Sequence, residues 1–152
     1  MKIDELETPV GTLQITVNEN YIRKIIFTDR PDGARTSHPV LLKVRAQLRE
    51  YFEGKRKTFD LPLQPEGTEF QQRVWKVLSN IPYGTTITYQ ELAEKLGNPD
   101  SIRAAGRANG QNPLPIVIPC HRVIGANGKL VGYSGGIDRK KWLLKYEGAL
   151  LI

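Results

Sequence analysis

The chain of 152 residues is 39% hydrophobic and 25% charged, as expected for a folded protein of one or two small domains. Its short apolar runs predict neither a membrane span nor a signal peptide. Its single cysteine excludes an internal disulfide framework and a multi-cysteine zinc site, so we expect a reducing, cytoplasmic compartment. The formal net charge of +6 suits a polyanionic partner without identifying one.

The N-terminal part of the chain predicts a β-hairpin. Residues 11–17 (GTLQITV) alternate between apolar and polar side chains, residues 18–20 (NEN) are turn formers, and residues 21–27 (YIRKIIF) return as a second strand. Alternation of this kind indicates strands with one face buried. We therefore expect this hairpin to form the sheet of a small α+β domain.

A helix and a linker complete the first domain. After a turn-rich loop in which His38 is expected at the surface, apolar residues recur at helical spacing over residues 41–52, and Gly54 follows as a stop signal. Residues 58–67 (TFDLPLQPEG) are expected to form a short strand that leads into a Pro/Gly linker. No pattern in this region indicates chemistry, so we predict a structural α+β domain over residues 1–65.

The second half is predicted to be mainly helical. TEFQ at 68–71 and TYQE at 88–91 are capping boxes, each of which opens a helix. The first helix is expected to end at 81–84 and the second at Gly97. Over residues 98–110, an Asn-Pro pair opens a further helix. Two short helices across a tight turn predict a helix-turn-helix.

The second helix of this pair is poorly suited to reading the major groove. Apart from Arg103 and Arg107 it carries small residues, among them Ala104 and Ala105, which cannot reach base edges deep in a wide groove. A small-residue helix with arginines fits the narrow minor groove, and residues 101–137 contain basic side chains but no Asp or Glu. The alternative is a helix packed tightly in the core, with its arginines in solvent.

The single cysteine is the candidate for chemistry. The β-branched run at 116–118 (IVI) predicts a buried strand, so Cys120 would lie where a strand leaves the core. A thiolate needs a base, and His121 is adjacent, although neighbours in a regular strand point to opposite faces. A carboxylate to orient the imidazole would have to come from the C-terminal helix, from Asp138 or Glu147. The alternative is a small buried residue without chemistry.

Four segments of the second half together resemble a known family. PCHRVIG (119–125) is preceded by NPLPIVI (112–118) and followed by GYSGG (132–136) and WLLKYEG (142–148). This set is similar to the O6-alkylguanine-DNA alkyltransferases, in which PCHR surrounds the active-site cysteine. The resemblance implies that residues 66–152 form the DNA-binding and alkyl-transfer domain.

This resemblance implies DNA repair in one irreversible step. An alkyl group on O6 of guanine, or on O4 of thymine, would pass to the protein's own Cys120 from a nucleotide flipped out of the duplex. Each molecule would react once, as a suicide methyltransferase without a cofactor. The implied partner is double-stranded DNA bound through its minor groove, by a monomer with no obligate protein partner. Some relatives bind zinc through N-terminal cysteines, which this chain lacks, so we expect no metal.

The resemblance also assigns roles in the chemistry. Cys120 matches the acceptor thiolate, and His121 matches the histidine that takes its proton through a water. Glu147 matches the carboxylate that orients this histidine. Asn112 resembles the hinge asparagine that bonds backbone near the active-site turn. Tyr89 resembles the tyrosine that donates to guanine N3 as the leaving group gains charge.

Further matches concern the DNA and the flipped base. Arg103 corresponds to the arginine finger that fills the gap in the base stack, and the small side chains of Ala104 and Ala105 would permit close approach to the minor groove. Tyr133 and Ser134 match the loop that lines the guanine pocket, where the serine position donates towards O6. The residue Val123 matches a position whose carbonyl accepts from the guanine amine.

Two other interpretations compete with this one. A damage-sensing binder of the alkyltransferase-like type recognises the lesion without removing it, but such relatives replace the cysteine, and Cys120 is present. An unrelated Cys–His hydrolase, or a helix-turn-helix regulator, is the third. A regulator would need base-reading side chains on residues 99–109, which are mostly missing, and a hydrolase would not require the arginine–alanine helix.

Overall fold

The computed structural model describes residues 1–150 and divides into two compact units, Met1–Glu66 and Gly67–Ile152. The predicted α+β class is confirmed, and residues 151 and 152 of the predicted second domain lie outside the described part. No helix within residues 1–150 is long and apolar enough to cross a lipid bilayer. The strands and α-helices are β1 (Lys2–Thr8), β2 (Gly11–Asn18), β3 (Tyr21–Thr28), α1 (Pro39–Phe52), α2 (Glu69–Ser79), β4 (Ile87–Thr88), α3 (Tyr89–Lys95), α4 (Ile102–Gly110), β5 (Val123–Ile124) and α5 (Ile137–Tyr146).

The first unit is an antiparallel sheet in the order β1-β2-β3, with α1 packed against it. The predicted hairpin is present as β2 and β3. Leu13, Ile15 and Ile25 point into the core and are at most 2% exposed. Burial of each such side chain contributes about 1.5–3 kcal/mol. Strand β1 escapes a pattern search because two acidic residues, Asp4 and Glu5, interrupt its apolar positions although both are buried.

Two expectations for this unit are wrong. Residues 58–67 form no strand, and only Leu63 makes an isolated bridge, to Ile22. The prolines in this segment lack the N–H that a ladder requires. His38 is half-buried rather than exposed, because its Nδ1 accepts from the Val40 N–H at 3.2 Å and caps α1. A histidine here performs the role that Ser, Thr, Asp or Asn usually performs.

The second unit is mainly helical, as predicted. Both capping boxes form, and they open α2 and α3 at the expected residues. A single 3₁₀ turn, Pro99–Ser101, joins α3 to α4 and completes the helix-turn-helix. The indole N–H of Trp75 on α2 donates to the carbonyl of Ala108 on α4 at 2.9 Å. This bond fixes the position of α4 relative to the helix that precedes the pair.

A short parallel pair of strands brings distant segments together. Ile87 pairs with Val123 and Thr88 pairs with Ile124, so β4 lies beside β5. Strand β4 runs directly into α3, which begins at Tyr89, whereas β5 directly follows Cys120–Arg122. The pairing therefore sets the start of α3 beside the segment that carries the cysteine.

Candidate active site around Cys120

The segment before the cysteine is a buried turn and not the predicted strand. Ile116 has a φ of +75°, a left-handed conformation that costs a β-branched residue on the order of 1–3 kcal/mol. Asn112 stabilises this turn from inside: its Nδ2 donates to the Ile118 carbonyl at 2.8 Å, and its Oδ1 accepts from the Leu114 N–H at 3.0 Å. The β-branched run predicted burial correctly but could not reveal a turn held by a side chain.

Cys120 begins a 3₁₀ turn, Cys120–Arg122, and its side chain is buried. Burial raises the pKa of its thiol to about 11, although Asn112 and the Lys140 ammonium act in the opposite direction. The resting group is therefore a thiol, which is a poor nucleophile. Reaction at neutral pH requires a base to remove the proton.

His121, in the same turn, forms a buried pair with Glu147 at the C-terminal end of α5. His121 Nε2 lies 2.9 Å from Glu147 Oε2, and neither side chain is exposed to solvent. Burial, above all, lowers the pKa of His121, while hydrogen bonds from His121 and Arg122 hold the pKa of Glu147 at about 2 despite its burial. A neutral imidazole beside a carboxylate donates its Nε2 proton to it. Nδ1, which has no hydrogen-bond partner among residues 1–150, is left as an acceptor, as a base requires.

Arg122 is a residue of this site that the sequence did not single out. Its Nε and Nη2 bind the two oxygens of Glu147 at 2.8 and 2.9 Å, and its Nη1 donates to the Ile81 carbonyl at 2.7 Å. Its guanidinium also lies 5.6 Å from the ring centroid of Tyr83. The two-point contact fixes the carboxylate plane, so Glu147 can present one oxygen to His121.

Lys140 is a second residue that the sequence did not reveal. It is fully buried on α5, and its Nζ donates to the carbonyls of Val123 at 2.5 Å and Val131 at 2.7 Å. Burial lowers the pKa of this amine to about 8, and Cys120 partly opposes the shift. The run RKKW resembles a solvated face, but the i+3 and i+4 spacing to Leu143 and Leu144 places Lys140 on the buried side.

Tyr89 lies at the first position of α3, half-buried. Its hydroxyl donates to the Val131 carbonyl at 3.0 Å. Its ring lies against Gly106 of α4, and a Cβ at Gly132 would lie 2.6 Å from the phenol oxygen. Burial and, to a smaller extent, the neighbouring Cys120 raise the pKa of Tyr89. Two glycines thus leave room for this ring between α4 and the loop before α5.

The predicted base-pocket residues lie in two environments. Tyr133 is 7% exposed, and burial raises the pKa of its phenol well above the usual value. Ser134 is exposed beside it. The carbonyl of Val123 faces inwards and already accepts from the Lys140 ammonium, so a second donor would have to use its other lone pair.

Helix α4 presents Arg103, Ala104 and Arg107 to solvent. Ala105, by contrast, is 0% exposed. The expectation that both alanines lie at a DNA-facing surface is therefore wrong for Ala105, which packs in the core. The minor-groove interpretation therefore fits the exposed face of α4, and the interpretation as a core helix fits its buried face.

Within residues 1–150, no group of three or more His, Cys, Asp or Glu side chains is arranged to hold a metal ion. The donors around Cys120 are instead a thiol, an imidazole, an ammonium and a phenol, which are groups suited to proton transfer.

Comparison with known proteins agrees with this arrangement. The family model described as "6-O-methylguanine DNA methyltransferase, DNA binding domain" matches residues 69–149, and that described as "6-O-methylguanine DNA methyltransferase, ribonuclease-like domain" matches residues 1–65. A methylated-DNA–protein-cysteine methyltransferase of Methanosarcina acetivorans is 46% identical over 94% of this chain and 96% of its own length. The constitutive enzyme of that name in Bacillus subtilis is 44% identical over 93% and 92%.

Solved structures give the same result. The crystal structure of the Mycobacterium tuberculosis O6-methylguanine methyltransferase is 41% identical, with a TM-score of 0.86 over 97% of this chain and 93% of that one. Mycobacterium tuberculosis OGT in complex with DNA is 42% identical, with a TM-score of 0.88 over 98% and 94%.

Proposed function

The chain belongs to the 6-O-methylguanine DNA methyltransferase family, and from this membership we propose how its residues carry out the reaction. It is a DNA-repair protein that transfers an alkyl group irreversibly from O6 of guanine to a cysteine of its own. Cys120 is the acceptor, because the chain contains no other cysteine. This is the observation that carries the assignment. Thymine O4 is proposed as a second alkyl donor.

The proposed step is a single displacement. The sulfur of Cys120 attacks the alkyl carbon, the C–S bond forms as the C–O6 bond breaks, and the bonding pair stays on the guanine. His121, through its Nδ1 and a bridging water, takes the thiol proton. Support comes from the bond between His121 Nε2 and Glu147, which sets the tautomer, and from the two-point contact of Arg122 that keeps Glu147 ionised.

The leaving guanine gains negative charge, so hydrogen-bond donors around it stabilise the transition state. We assign this role to Tyr89 at N3 and to Ser134 at O6, with the Val123 carbonyl accepting from the exocyclic amine. Because the Tyr89 hydroxyl is bonded to the Val131 carbonyl, it exchanges this acceptor for N3 when a base enters. Tyr133 forms a wall of the same pocket, and Asn112 maintains the turn that carries Cys120.

The protein binds DNA, and we propose that it does so as a monomer through the minor groove of duplex DNA. The exposed face of α4 supports this, since Arg103 and Arg107 supply positive charge and the small side chain of Ala104 permits close approach. Arg103 would occupy the gap left by the flipped nucleotide. Residues 66–152 would carry binding and chemistry, and residues 1–65 would be structural. A reactive free thiol suits a reducing cytoplasm.

The deciding experiment uses duplex DNA that contains O6-methylguanine with a labelled methyl group. We expect one equivalent of label on Cys120, located by peptide mass spectrometry, and no turnover. The variant Cys120→Ala should lose transfer but keep lesion binding. Repeated turnover, or label on another residue, would overturn the mechanism, and binding without transfer would favour a damage-sensing role.

A further inference from the structure

Asn109 is a buried polar residue at the site that the proposed mechanism does not use. It lies on α4, three residues after Gly106, and is 0% exposed. This spacing puts both residues on one helix face, against which the ring of Tyr89 packs. Its Nδ2 donates to the carbonyl of Cys120 at 3.4 Å. The side chain therefore lies between the acceptor cysteine and the proposed leaving-group donor.

The hydrogen bonds of this amide are unevenly satisfied. Oδ1 has no hydrogen-bond partner among residues 1–150, although the atom is buried. An unpaired buried acceptor is destabilising, whereas a leucine of similar volume would fill the space without that cost. Packing alone does not account for an amide at this position. What a leucine would lose are the bonds that the amide nitrogen makes.

For the second amide proton, Tyr89 is the partner offered by the packing of its ring against this face of α4. A side-chain hydrogen bond links Asn109 to Tyr89 and opposes the rise that burial and Cys120 impose on the pKa of this phenol. Since the Tyr89 hydroxyl proton is already donated, its oxygen can act only as the acceptor towards Asn109. A phenol that accepts one hydrogen bond becomes a stronger donor in the next.

We propose that Asn109 is a positioning residue for alkyl transfer: its Nδ2 holds the Cys120 carbonyl with one proton and polarises the Tyr89 hydroxyl with the other, so that Tyr89 donates more strongly to the departing base. The inference rests on the proposed role of Tyr89. In this series of hydrogen bonds, the Asn109 N–H donates to the Tyr89 oxygen, and the Tyr89 O–H donates to guanine N3. Its stabilisation grows as charge develops on the base, and thus acts on the rate more than on binding.

A double-mutant cycle tests this chain. The measurement is the single-turnover rate of methyl transfer from an O6-methylguanine duplex to the wild-type protein, Asn109→Leu, Tyr89→Phe and the double variant. We expect Asn109→Leu to slow transfer on the order of tenfold, because it weakens one preorganised donor without removing it. In the Tyr89→Phe background the same substitution should cost clearly less, because only the bond to the Cys120 carbonyl is then left to lose. Equal losses in both backgrounds would overturn the proposal.

A spectroscopic signature separates polarisation from a loss of fold. With ¹³C at Cζ of tyrosine, Asn109→Leu should raise the pKa of Tyr89, and an unchanged value would contradict the proposal. Asn109→Ser, which lacks the amide, should behave in the same way and serves if the leucine variant does not fold. Asn80→Ala, at an exposed helix end, is the matched control and should change neither quantity. No transfer by the wild-type protein would instead refute the proposed function, and an unaffected Tyr89→Phe variant would refute the role of Tyr89.

Discussion

Each of the two units buries a carboxylate against an arginine, but only the second combines the pair with groups suited to chemistry. In the first unit, Asp4 of β1 accepts from Nε and Nη2 of Arg45 at 3.1 and 2.6 Å. The same guanidinium donates to the Glu5 carbonyl at 2.5 Å. In the second unit, Glu147 is shared between Arg122 and His121. Both networks are almost completely shielded from solvent.

The difference between the networks is the imidazole of His121, which has no counterpart beside Asp4 and Arg45. The first network contains no group suited to proton transfer near neutral pH, so we expect it to serve only the fold. An imidazole can gain or lose a proton near neutrality. Because Glu147 binds His121 through Nε2 and Arg122 supplies the compensating charge, a neutral base can exist in the core without leaving the carboxylate unpaired.

The largest effect is expected from Glu147→Gln. The amide cannot stabilise an imidazolium and does not fix the tautomer of His121, so transfer should slow by roughly 10³-fold or more. The uncompensated charge of Arg122 should also lower the free energy of unfolding by about 3–5 kcal/mol. Single-turnover transfer and urea unfolding measure the two effects. A folded variant with the wild-type rate would contradict the proposed base.

Asp4→Asn makes the matching change in the first unit. Removing this carboxylate leaves Arg45 buried and uncompensated, which should cost about 3–5 kcal/mol of unfolding free energy. The rate of transfer per folded molecule should stay at the wild-type value, because the first unit supplies no group to the reaction. Urea unfolding and active-site titration with labelled DNA separate the two quantities. If the transfer rate fell in fully folded Asp4→Asn protein, the first network would also serve the reaction, contrary to this prediction.

Arg122→Met tests the role of the compensating charge through pH. Burial lowers the pKa of His121 most, Glu147 raises it, and the Arg122 and Lys140 cations lower it further. Removing Arg122 should therefore raise that pKa. His121 is a base only when neutral, so the fall in rate at acidic pH should begin about one pH unit higher.

A rate–pH profile from pH 5 to 9 measures the shift. Below the wild-type pKa of His121 the variant should be about tenfold slower than the wild type, whereas the rates should converge above the raised pKa. Arg45→Met is the control in the first unit, where stability should fall and the profile should keep its position. An unshifted profile for Arg122→Met would mean that this arginine serves only the fold.

The sequence predicted much of this arrangement because local signals and tertiary packing agree there. The capping boxes that open α2 and α3 use backbone groups within four residues, so they can be read without knowledge of the fold. The resemblance around PCHRVIG pointed to Cys120, His121 and Glu147, which the structure brings into one buried cluster. The roles of these residues remain predictions.

The failures share a physical cause, which is polar side chains whose hydrogen-bond partners no hydrophobic pattern reveals. Strand β1 has a buried acid because Arg45, far along the chain, compensates it. The turn over Ile116 exists because Asn112 bonds its backbone from inside. Lys140 is buried because two carbonyls accept from it. Such partners are invisible to periodicity, which reports only on the preference of each position for water.

The smallest effect is expected for Arg103→Ala, which removes a charge from the exposed face of α4 rather than from a buried network. The unfolding free energy should change by less than about 0.5 kcal/mol, as is usual for surface positions. Transfer from duplex DNA should slow by roughly three- to tenfold, because the side chain would no longer fill the space left by the flipped base.

Transfer from the free O6-methylguanine base should be unchanged in this variant, since a free base requires no flipping. The matched substitution is Arg107→Ala on the same exposed face. If Arg107 contacts a phosphate, its loss should reduce the slope of log affinity against log salt by about 1 and weaken binding to all duplexes alike. Equal losses on duplex and free base for Arg103→Ala would refute its role in flipping, because a loss that does not depend on DNA lies in the transfer step itself.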